Sequence, residues 1–192
     1  MEVDKMRKEL IAVMDKYQMN WIEGATEWGT VKTPPQISVQ VCCTEEKDII
    51  TERYRFTNTS DKPFFLSLTD IGIYTPFNDD YCGSDICIKM RCHTHIYCGG
   101  EMSYVMALRM GGEGPHLGMI LTKGSLAGYS VERDVSRISN DRGDFIMHPT
   151  PQVLNPREAF EIEWKLFWHN GKEDFYRKLS QIHSRYVDVQ AD

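Results

Sequence analysis

Apolar and polar positions alternate with a period of two over most of the chain, and with a helical period near its two ends. Ile37, Val39 and Val41 alternate with Ser38, Gln40 and Cys42, which predicts a strand with one buried face. Residues 49–57 and 64–69 predict two more strands around the turn cluster Asn58-Thr-Ser-Asp-Lys-Pro63, and residues 71–74 continue beyond a bend. Further strands are expected at 117–122, 128–132 and 145–148. The last strand alternates most clearly, with Phe160, Ile162, Trp164, Leu166 and Trp168 on one face and Glu161, Glu163, Lys165 and His169 on the other.

The centre of the chain reads as one extended run over residues 84–97. From Cys87 to Cys98 the even positions (Ile88, Met90, Cys92, Thr94, Ile96, Cys98) are almost all apolar, and the odd positions (Lys89, Arg91, His93, His95, Tyr97) are polar or amphipathic. A three-residue loop at 99–101 would place Cys98 opposite Met102 and Thr94 opposite Met106. On the wet side it would set His95 against Val105, His93 against Ala107 and Arg91 against Arg109. A one-residue slip would exchange the faces. Two opposed arginines repel, so Asp79, Asp80 or a ligand anion is expected beside them.

Val3, Met6, Leu10, Val13, Met14 and Tyr17 stand at helical spacing, as do Phe175, Leu179, Ile182 and Tyr186. The expected fold is mainly β: an antiparallel β-sandwich over 21–170, with an amphipathic helix over 1–20 and a helix or linker over 171–192. A galactose-mutarotase-like supersandwich is compatible with this pattern.

A chain of 192 residues buries a sizeable core without staples. Its net charge of -6 disfavours bulk binding to nucleic acid or anionic membranes. No apolar run reaches the roughly 18–20 residues of a membrane span. The first residues lack the basic and apolar regions of a signal peptide, so a cytoplasmic protein is expected, or a piece cut from a longer one. The six cysteines are then reduced, and Cys42 and Cys43 point to opposite faces of a strand.

Three chemistries compete. Cysteines 82, 87, 92 and 98 lie near His93 and His95, but the paired short spacings of zinc sites are missing, so small core hydrophobes suit the cysteines better. His93 and His95 on one strand face could still offer two metal ligands, with Asp79 or His116 as a third. Cofactors are otherwise not expected. Asp79, Asp80, His93, His95 and His148 could form an acid/base site, yet no carboxylate pair is marked, and no nucleophile elbow or phosphate loop occurs. A binding surface fits more of the residues: Asp79, Asp80, Tyr81, Arg91, His93, His95, Tyr97, Arg109 and Arg142, with Tyr129, suit stacking on a sugar and bonding its hydroxyls. A face docking a sister domain, or a second copy of the chain, would use the same residues.

Several stretches then act together: Phe56 to Pro63, Pro76 to Tyr81, Arg91 to Gly100, Ala107 to Gly112, Ser139 to Gly143 and Phe167 to Gly171. The combination resembles the N-terminal β-sandwich module of large bacterial proteins related to glycoside hydrolases, in which the sandwich precedes an α/α-toroid domain. The resemblance spans residues 25–175. It implies a non-catalytic accessory module that binds carbohydrate or packs on an adjacent helical catalytic domain, with residues 172–186 as linker helix. The alternatives are a small enzyme or metal protein using His93, His95 and Asp79 or Asp80, and a structural interaction domain.

Overall fold

The structure is a computed structural model and describes residues 28–75, 77, 83–132, 144–183 and 186. The helix expected over 3–18, the domain boundary at residue 20, and Asp79, Asp80, Tyr81, Cys82 and Arg142 lie outside the described residues.

Two antiparallel sheets face each other across one core. The larger runs in the order β2 (Ile37–Glu46), β3 (Ile49–Asn58), β12 (Ala159–His169), β8 (His116–Lys123), β7 (Tyr104–Arg109), β6 (Cys92–Tyr97). The smaller runs β1 (Val31–Lys32), β5 (Gly72–Thr75), β10 (Asp144–Pro149), β9 (Leu126–Glu132). A ribbon of β4 (Phe64–Leu66) and β11 (Gln152–Leu154) accompanies them. The chain is thus an antiparallel β-sandwich, as its alternation predicts. Lys47 and Asp48 join β2 to β3 with φ of 51° and 62°, the left-handed pair of a tight two-residue hairpin.

One parity class of each strand fills the core. Tyr54, Phe56, Ile162, Trp164, Leu117, Met119, Val105 and Ala107 of the larger sheet meet Ile73, Phe145 and Met147 of the smaller. Each large side chain buried here stabilises the fold by about 1.5–3 kcal/mol. Inside this core the carboxylate Oε2 of Glu52 accepts the indole N–H of Trp28 at 3.1 Å and of Trp164 at 2.8 Å. Those donors offset part of the cost of burying a carboxylate.

The other parity class of the larger sheet meets a helix, α2 (Lys172–Ile182). Phe175 and Leu179 are fully buried against Met106, Ile120 and Phe167. Gly118 makes this approach possible: a β-carbon there would stand 2.6 Å from Phe167 and 3.0 Å from Phe175. The helix stops at Ile182, short of the expected residue 186, yet Tyr186 still stacks on Tyr176 at 6.0 Å.

Two expectations at the centre are corrected. Residues 84–90 are a helix, α1 (Ser84–Met90), and the extended run starts only at Cys92. Alternation over Cys87–Met90 is too short to decide between periods. Asp85 in the first turn and Lys89 in the last suit the helix dipole, and Ile86 and Ile88 stay exposed, so no sheet buries that face. The hairpin register is also shifted by one. Tyr97 faces Tyr104, His95 faces Met106, His93 faces Leu108, and Cys92 faces Arg109. Residues 98–103 form the connection, and Gly100 pairs with Leu126 of the smaller sheet. Val105 and Ala107 therefore lie in the sandwich core, away from the histidines, and Arg91 and Arg109 are not opposed. The physical reason is α2: it buries the outer face of β7, so both faces of that strand are apolar and alternation cannot select a register.

Candidate functional site

The wet face of β6 survives the correction. Cys92 is buried, while His93, His95 and Tyr97 are exposed. The pairings across the larger sheet set His95, Met106, Gly118 and Phe167 in one row and bring His169 opposite His116 in the next. The chain leaves β12 at His169, reverses through Asn170-Gly171 and enters α2 at once. The Asn170 N–H donates to Asp174 Oδ2 at 2.9 Å, holding the first helical turn to the strand end. Lys172 is thereby carried to the rim above the histidines.

The result is a cleft of about 480 Å³ between the end of α2 and the edge of the sheet, lined by His93, Thr94, His95, Leu108, Arg109, Gly112, His116, Gly171 and Lys172. No carboxylate lines it among the described residues, although the chain as a whole is acidic. The Arg109 N–H donates to His116 Nδ1 at 3.1 Å, so that nitrogen carries no proton and Nε2 does in the neutral ring. Burial lowers the pKa of His95, and Lys172 and His93 lower it further. Burial, then Arg109, lowers that of His116. Behind them His169, packed on Phe167 and Phe175, is pushed by burial down to about 4. The cleft therefore sets the basic side chains of Arg109 and Lys172 beside two imidazoles, His95 and His116, whose charged forms burial disfavours.

Of the expected binding residues, the structure brings His93, His95 and Arg109 into one cleft. Tyr97 stands next along β6. Arg91 follows α1 and does not line the cleft. Tyr129 lies in the other sheet, its ring 6.0 Å from Phe145. Lys172 and the buried His169 were not legible as site residues, because only the β12–α2 reversal and the pairing of β12 with β8 bring them here. His116, expected only as a third metal ligand, reaches the cleft through the pairing of β8 with β7. Among the described residues, no group of three or more His, Cys, Asp or Glu side chains is disposed to hold a metal ion.

A second cleft of about 470 Å³ opens at the far end of α2, beside Lys123, Ser125, Thr150 and Glu161. Its polar groups satisfy one another: Lys123 bonds Glu161 at 2.7 Å, and Ser125 bonds Thr150 at 2.6 Å.

Sandwich and cleft together describe a β-sandwich module with a basic, imidazole-rich groove on one face. The chain is similar to a solved protein, Polysaccharide Lyase BACCELL_00875, at 34% identity and a TM-score of 0.73. The match covers 85% of this chain and 25% of that one, so the chain spans about a quarter of the lyase it resembles. This sandwich is therefore like part of a carbohydrate-active protein. No protein-family model matches the sequence, and no curated protein does.

Proposed function

We propose that the chain is an accessory β-sandwich module of a carbohydrate-active protein, and that its cleft at His93, His95, Arg109 and Lys172 holds an acidic saccharide. The observation that carries this reading is the cleft itself: a concave site with convergent basic side chains and no described carboxylate, in a chain of net charge -6. The likeness to a polysaccharide lyase supports a sugar over other anions. In this reading the chemistry belongs to the rest of such a protein, which the sequence resemblance expects to be helical. The link to glycoside hydrolases and the N-terminal position rest on that resemblance alone.

A glycan array set with acidic and neutral polysaccharides tests the reading. The chain is expected to retain acidic glycans, and Lys172→Ala to weaken that binding about tenfold, the loss of one hydrogen bond to a charged partner. Preference for neutral glycans, or indifference to Lys172, would contradict it.

A catalytic reading draws on one specific observation. His95, whose charged form burial disfavours, stands in the same cleft as Arg109 and Lys172, and a base beside a cation is the arrangement needed to abstract a proton next to a carboxylate, while His116 can only donate from Nε2. Ultraviolet-absorbing unsaturated sugars released by the chain alone would favour it over the accessory role.

A further inference from the structure

The exposed face of β6 runs on past the lining of the cleft to Tyr97. His93, His95 and Tyr97 project from alternate positions of β6 on its exposed side and span about 13 Å of strand. Opposite them, Lys172 and Tyr176 lie four residues apart on α2 and so share a helix face. A run of tyrosine rings joins the two walls. Tyr97 and Tyr104 are 5.3 Å apart, and Tyr104 and Tyr176 are 6.1 Å apart with their hydroxyls at 3.4 Å. The cleft is basic, and the stretch of β6 and α2 beyond it is aromatic.

Tyr97 is 51% exposed, yet its ring is held in place. It leans along the strand into the space that a side chain on Gly99 would fill. A β-carbon at Gly99 would stand 2.3 Å from the Tyr97 Cε1 and 2.5 Å from its Cζ. Glycine beneath and Tyr104 beside it support the ring and leave its outer side open. A supported, open aromatic ring is what the apolar C–H face of a sugar stacks on.

We propose that Tyr97, backed by Gly99 and Tyr104, is a stacking subsite for a second sugar unit, so that an oligosaccharide lies lengthwise between β6 and α2. Its acidic unit sits at His95 and Lys172 and a further unit on Tyr97. The proposal rests on the reading of the basic cleft as a saccharide site, and it adds a requirement for chain length.

Calorimetry with oligogalacturonides and oligomannuronates of one to six units tests it. The wild-type chain is expected to bind longer oligomers more tightly until the added units reach Tyr97, and then to level off. Tyr97→Ala should remove that gain, about tenfold for the longer oligomers, and leave the shortest ligands unaffected. Gly99→Ala forces the ring out of its place and should act in the same direction with the tyrosine still present. Lys172→Ala should weaken every length alike. Equal affinity of Tyr97→Ala and wild type for the longer oligomers would overturn the subsite while leaving the basic cleft standing. Failure of the wild-type chain to bind any length would overturn both.

Discussion

At the scale of single residues, His169 is the most exposed to acid in its energetics, though it is 1% exposed in area. Burial holds it at about 4, below the ordinary imidazole value of 6.5. The unfolded chain takes up this proton first as the pH falls, so folded stability declines from about pH 7 towards pH 4. The loss amounts to roughly 2–3 kcal/mol by about pH 4.5. Urea unfolding at both pH values should show the wild type losing more stability than His169→Gln; an equal loss in both would contradict this account of His169. Its partner in the turn behaves oppositely. Burial raises the Asp174 carboxyl, but the Asn170 N–H, Lys178 and Arg177 outweigh that and hold it at about 2, so its contribution persists until far more acid conditions. Both residues were plain in the sequence, and neither role was, since each depends on a neighbour that only the β12–α2 reversal supplies.

At the scale of elements, α2 decides whether there is a groove. It carries Lys172 and Tyr176 above the sheet, and it is anchored by Phe175 and Leu179, both fully buried. Phe175→Ala is expected to destabilise the chain by about 3–5 kcal/mol through the cavity it leaves. Denaturant unfolding measures this, and a loss below 1 kcal/mol would mean the helix is not anchored as described. The same helix explains where reading by alternation succeeded and failed. β12 pairs a greasy face with one of Glu161, Glu163 and Lys165, whose two carboxylates are answered across the sheet by Arg53, Arg55 and Lys123, so its orientation was legible. β7 is apolar on both faces because α2 covers one of them, so its register against β6 was not. Residues 84–90 misled for another reason, since four alternating residues fit a short surface helix equally well.

At the scale of the molecule, the sandwich is a frame whose larger sheet serves two layers: the core on one face and α2 on the other. That layering follows from β7 and β8, where buried residues occur in both parity classes, as in Leu117, Met119 and Ile120. The antiparallel sandwich itself was readable from period-two alternation. The pairing of β12 with β8, distant in sequence, which brings Lys172 to the cleft of His93 and His116, was not, because no local pattern encodes it. The cleft is the central claim, and chemical-shift mapping of the labelled chain titrated with an oligogalacturonide tests it most directly. The account predicts that the largest shifts fall on His93, His95, Tyr97 and Lys172. Shifts gathered instead around Lys123, Ser125 and Thr150 at the far end of α2, or no shifts at all, would contradict it.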